Sequence, residues 1–232
     1  MSRSLQRLLL VAVAAMLASA CATAPEETSI RPEQVTDFTE LFDANCSACH
    51  GIEGNRGVAQ PLNDPLYLAL ITDARLTDII SRGVRGTSMS AFARESGGTL
   101  TNEQVRALVE GMRRRWGRAS EGPREGLPAY SAEDAIARGE SRGDTGRGRS
   151  AFTTYCAACH GTDGKGGTSA GSVVDPAFLA LTSDQSLRTT TIVGRQAESI
   201  PGWRDYVRGR PMNKQEISDV VAWISAQRGE HD

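Results

Sequence analysis

Two short runs carry the residue types that can do chemistry: Cys46-Ser47-Ala48-Cys49-His50 and Cys156-Ala157-Ala158-Cys159-His160. Two thiols three positions apart, followed at once by an imidazole, form the attachment pattern of a c-type haem. The thiols add across the porphyrin vinyl groups, and the histidine is held under the ring as the proximal iron ligand. Cys-x-x-Cys pairs also bind zinc, but a histidine following both pairs points to two covalently bound haem c groups. The rest of the chain must then supply a route out of the cytoplasm, a pocket for each haem and a second axial ligand.

A chain of 232 residues suits two small domains better than one large one. Only 39% of it is hydrophobic and 5% aromatic, so each domain has little core material of its own. A buried haem would act as a large apolar core element. Net charge is −2 with no basic block, which gives no sign of nucleic-acid binding.

The N-terminus reads as an export signal. Arg3 and Arg7 precede an apolar run from Leu8 to Ala18, and Ala18-Ser19-Ala20 has the small residues of a cleavage site. The run is too short to span a bilayer. Five cysteines less the four in the motifs leaves Cys21, directly after the expected cut. That arrangement resembles a bacterial lipoprotein signal, although Ala18 stands where such signals usually have Leu. The expectation is a signal peptide at 1–20, an acylated Cys21 and a polar tether at 21–34, placing the protein on the periplasmic side of a membrane. Several acyl chains, at ~0.8 kcal/mol per buried CH₂, give a stable anchor.

Internal similarity organises the remainder. Asp64-Pro65-Leu66-Tyr67-Leu68-Ala69-Leu70 matches Asp175-Pro176-Ala177-Phe178-Leu179-Ala180-Leu181 at an offset of 111. The haem motifs lie at an offset of 110, and Thr101 to Val105 falls on Asn213 to Ile217 at 112. Each copy reads as helical. A first helix leads into the motif, with Phe42 and Phe152 four residues before the first cysteine, facing the haem edge or the closing helix. Glycines follow in turn positions that fit neither a P-loop nor a dinucleotide fingerprint. A middle helix begins near Asp64 or Asp175. A closing helix begins at Thr101 or Asn213, each an N-cap followed by acidic or amide residues. Val105, Leu108, Val109 and Met112 share one apolar face, which Ile217, Val220, Val221 and Ile224 repeat.

Both units resemble small class I cytochrome c domains. The resemblance implies an all-α fold of two tandem domains, at 35–117 and 145–232, with a Gly-, Pro- and charge-rich linker at 118–144. It also implies a proline carbonyl that accepts from the proximal histidine, here at Pro61, with Ser172 at the matching position.

The sixth iron ligand distinguishes the copies. Of three histidines, His50 and His160 are proximal ligands and only His231 remains, so bis-His coordination of both haems is excluded within one chain. Met89, in Gly86-Thr87-Ser88-Met89-Ser90-Ala91-Phe92, resembles the family's Met-Pro-x-Phe loop and is the expected ligand of the first haem. Met112 falls on the apolar face of the closing helix. In the second copy the offset of 111 puts Ile200 at the position of Met89. Three arrangements are open: Met212 ligates the second haem; Met212 is core, as its match Leu100 suggests, and the site is open; or His231 or a partner supplies the ligand. The first is the working expectation.

The implied function is electron transfer outside the cytoplasm, by a dihaem carrier that catalyses no substrate chemistry itself. It would serve redox proteins or the other subunits of a larger membrane oxidoreductase. The rival is a peroxidase-like enzyme or gas sensor using an open site on the second haem.

Overall fold

The computed structural model describes residues 30–55, 59–117 and 126–229. The expected signal peptide and Cys21 lie outside the described residues, and the tether is described only from Ile30, with a short 3-10 turn at Pro32–Gln34. Residues 35–232 form one compact unit.

Among the described residues there are helices and no strands. In the first copy these are α1 Phe38–Asn45, α2 Ser47–His50, α3 Pro65–Leu70, α4 Asp73–Arg82 and α5 Asn102–Trp116. α6 Ala132–Ala137 follows. The second copy has α7 Thr145–Tyr155, α8 Ala157–His160, α9 Pro176–Ala180, α10 Asp184–Val193 and α11 Lys214–Ser225.

The helix boundaries follow from side-chain caps. Asp64 and Asp175 accept backbone N–H bonds from the first turns of α3 and α9, each with Pro at its start. The expected single middle helix is in fact two, because Thr72 and Ser183 cap a new helix two or three residues further on. Both closing helices carry a full capping box, Thr101 with Gln104 and Asn213 with Glu216. Each cap is worth ~1 kcal/mol. The predicted apolar faces of α5 and α11 are buried throughout.

The first helix of each copy packs on its closing helix, and the two crossings are built differently. Phe38 reaches α5 over Gly111, where a Cβ would overlap its ring. The residue matching Phe38 is Gly148, and the residue matching Gly111 is Trp223. A Cβ on Gly148 would overlap the Asp219 carbonyl of α11. Large and small have exchanged sides across the same crossing. Phe42 packs edge-on against Trp116 with centroids 5.2 Å apart, and Phe152 lies 4.3 Å from Trp223. Both phenylalanines therefore face the closing helix, one of the two faces the sequence allowed.

The described part of the expected linker, 126–144, is folded. Ala129, Tyr130, Ser131 and Ala135 are buried. Arg188 of α10, itself buried, donates to the Ala129 carbonyl and to the Ser218 hydroxyl, and faces Glu140 at 4.0 Å. Tyr130 also meets Tyr67 of α3, centroids 6.4 Å apart. One segment thus bridges the two copies, next to the packing of α3 against α10.

Candidate haem sites

Each Cys-x-x-Cys-His run forms a single helical turn, α2 or α8, that starts as the preceding helix ends. Cys46, Cys49, Cys156 and Cys159 are free thiols. Burial, and then the neighbouring Cys49, pushes the Cys46 thiol up to about 12, and burial with Cys159 does the same to Cys156. Dithiols that exchange disulfides have lowered values instead. Among the described residues no three His, Cys, Asp or Glu side chains gather to hold a metal ion. Two thiols with one histidine after them are the donor set of thioether attachment plus one imidazole ligand.

His50 Nδ1 lies 2.8 Å from the Gln60 carbonyl, and His160 Nδ1 lies 2.7 Å from the Gly171 carbonyl. A carbonyl only accepts, so Nδ1 carries the proton and Nε2 is left with its lone pair to bind iron. These acceptors correct the expectation at Pro61 and Ser172 by one residue. The carbonyl within reach belongs to the peptide before Pro61, and Gln60 and Gly171 match at the offset of 111. Burial lowers the His50 value, the Gln60 carbonyl opposes that, and the Arg195 guanidinium from the second copy adds to the lowering. His50 is buried, whereas His160 is only partly so.

The fit to haem has a further mark in orphaned donors. Gln60, whose carbonyl holds His50, has its side-chain amide nitrogen buried without an acceptor, as does the Trp203 indole nitrogen. Carboxylates of a bound haem would supply such acceptors.

The strips that carry Met89 and Ile200 share one backbone bond and one glycine. Val84 N–H donates to the Met89 carbonyl, and Arg195 N–H donates to the Ile200 carbonyl, both at 2.9 Å. Gly83 and Gly194 have φ of 72° and 74°. A Cβ on either would sit 2.5 Å from the carbonyl oxygen of Met89 or Ile200. Glycine is required here twice over, by conformation and by the close approach of the strip. Met89 is partly exposed and Ile200 occupies its place.

Met212 is elsewhere. Its N–H donates to the Trp203 carbonyl just as Leu100 N–H donates to Phe92. It is 1% exposed, among the apolar side chains of the second copy. It stands immediately before the Asn213 cap. Met112 is likewise core, 2% exposed on α5. Tyr206, close enough to Cys156 to feel its charge, is pushed up mainly by burial and donates to the Thr191 carbonyl.

Sequence reasoning missed two contributors that recur at different positions, one in the first closing helix and one just beyond the second. Arg113 donates to the Leu68 and Ile71 carbonyls and to Asp73, pinning the α3–α4 corner. Arg228, three residues beyond α11, does the same for Leu179, Thr182 and Asp184. The partners match at the offset of 111, but the arginines are 115 apart. Only the contacts reveal the equivalence.

Residues 33–110 match the family model for the cbb3-type cytochrome c oxidase subunit III, and residues 146–227 match the cytochrome c model. Among curated proteins, the cbb3-type cytochrome c oxidase subunit CcoP of Azospirillum sp. (strain B510) is 25% identical over 179 residues, covering 70% of this chain and 53% of that protein. The cbb3-type subunit FixP of Bradyrhizobium diazoefficiens is 27% identical over 173 residues, covering 70% and 52%. The chain thus spans about half the length of the curated relatives it matches. Among solved structures, the Kuenenia stuttgartiensis reducing HAO-like protein complex aligns with a TM-score of 0.45 at 18% identity, covering 84% of this chain and 98% of that one.

Proposed function

Both copies in this chain belong to the cytochrome c family, and from that premise we propose that it carries electrons between redox partners outside the cytoplasm. The observation that supports this most is the repeated proximal geometry: a histidine beside two free thiols, its Nδ1 tied to a carbonyl at 2.8 Å in one copy and 2.7 Å in the other. We take the domains as 35–117 and 145–232.

Each haem, when attached, supplies a one-electron ferric–ferrous couple. The residues do the rest. Cys46 and Cys49, and Cys156 and Cys159, fix each haem covalently. The carbonyls of Gln60 and Gly171 orient the imidazoles and raise their basicity as ligands. Met89 is assigned as the thioether ligand of the first haem, a soft donor that raises the potential. Tyr67, Tyr130 and the contact of α3 with α10 join the copies in one compact unit, which favours a fixed relay over a swinging domain.

The matched relatives are named as oxidase subunits, so this chain is read as the cytochrome subunit of a membrane oxidoreductase. Its own residues carry no substrate chemistry in this reading. No helix among the described residues is long and apolar enough to cross a membrane, and attachment is assigned to an acylated Cys21. Stopped-flow mixing of the reduced holoprotein with an oxidised c-type cytochrome tests the reading. Both haems should reoxidise in sequence; two haems that exchange no electrons would overturn it.

A further inference from the structure

The second copy lacks a thioether where the first has one, and its strip is held in that state. Ile200 sits in the Met89 register, fixed by the Arg195 N–H bond at 2.9 Å and by the close passage of its carbonyl past Gly194. The Ile200 N–H donates back to the Arg195 carbonyl at 3.1 Å, so the strip is closed on itself by a pair of bonds. Ser199, directly before Ile200, has φ of 59°, the one positive value at a non-glycine among the described residues. Such strain persists where the surroundings over-determine the backbone, and it gathers at ligand sites. The strip is therefore not slack chain that could slide another residue into place.

The methionine nearest in sequence is committed elsewhere. Met212 is packed in the core position of Leu100, its backbone paired with Trp203 and its neighbour Asn213 engaged in a capping box. An isoleucine cannot donate to iron, and it presents an apolar wall. An isoleucine side chain has no acid–base group of its own to cleave a peroxide, and its apolar surface suits a small neutral molecule.

We propose that the haem held by Cys156, Cys159 and His160 keeps its sixth position for a small neutral diatomic ligand such as CO or NO, with Ile200 as the residue that leaves it open. The inference rests on the dihaem reading above and assigns the two haems different work. The first passes electrons, and the second also senses or is gated by a diatomic gas.

The test uses purified holoprotein with its haems counted by pyridine haemochrome, then reduced with dithionite and titrated with CO. One CO per chain is expected. Ile200→Met should abolish that uptake and double the thioether-to-ferric charge-transfer band of the oxidised protein. Met212→Leu should leave uptake at one CO per chain. Two haems with no CO uptake in the wild type overturn this inference alone, as does uptake gained only on Met212→Leu, which would make Met212 the ligand. Fewer than two haems per chain would overturn the dihaem reading and this inference with it.

Discussion

In the first copy the strip that passes Gly83 carries Met89; in the second the matching strip passes Gly194 and carries Ile200, with the same 2.9 Å backbone bond in each. On the proximal side both copies tie the histidine to the carbonyl of matching residues, Gln60 and Gly171. The backbone frame is thus held constant while one side chain, at the position proposed for the sixth ligand, changes. A duplicated domain can specialise in this way without a new fold, because the proposed ligand is one residue on a strip whose path is set by its glycine and its hydrogen bonds.

Breaking that comparison from the first copy gives the largest expected effect. Met89→Ile should raise CO uptake from one to two per chain. It should also lower the potential of the first haem by ~0.1–0.2 V, within the roughly 0.8 V range that axial ligands command. Spectroelectrochemistry on the variant checks both. Unchanged CO uptake would remove Met89 from the site.

The helix crossings offer a second comparison. Gly148→Ala drives a Cβ into the Asp219 backbone carbonyl, and Gly111→Ala drives one against the Phe38 ring and, at 2.6 Å, against the Phe38 Cβ, which no ring rotation moves aside. Overpacking of this kind costs ~1–3 kcal/mol. Both variants should fall in the upper half of that range, read from denaturant midpoints of the holoprotein. A loss below ~1 kcal/mol at either glycine would mean that its crossing is not as close as described.

The bridging segment belongs mainly to the second copy. Arg188 stands where the first copy has Thr77, and burial lowers its value while Glu140 opposes the shift. Arg188→Ala leaves Glu140 and the Ala129 carbonyl without their partner, at a cost of ~2–3 kcal/mol. Hydrogen exchange should rise at 129–140 and not at 38–45. Protection unchanged at 129–140 would deny the clamp.

A smaller effect crosses between the copies. Arg195, from the strip of the second copy, adds its positive charge near His50, although Glu198 pairs with it at 2.6 Å. A nearby cation disfavours the more positive ferric state, so Arg195→Gln should lower the potential of the first haem by ~20–50 mV, a partly screened charge effect. A redox titration reads it, and a rise would reverse the assigned sign.

Much of this was legible in the sequence because it is written in local chemistry. The haem runs, the Asp64, Asp175, Thr101 and Asn213 caps, and the apolar faces of α5 and α11 all depend on neighbours within a turn or two. The offset of 111 that aligns Met89 with Ile200 holds in three dimensions. What the sequence hid is long-range or compensated. Trp116 and Trp223 meet matching phenylalanines from positions 107 apart, and Arg113 and Arg228 clasp matching corners from positions 115 apart. No residue-by-residue alignment pairs them. The segment at 126–140 looked like linker because its composition is polar, yet a few small side chains and one buried arginine fold it onto α10. The one-residue error at Pro61 arose because a carbonyl's reach depends on backbone direction, which spacing does not encode.

We propose that the two haems are unequal because Ile200 stands in the second copy where the first has Met89. An optical redox titration of the holoprotein, run with and without CO, tests it most directly. Two resolved one-electron steps are predicted, with CO moving only one of them, to higher potential. A single curve for two equal haems, unmoved by CO, would contradict it.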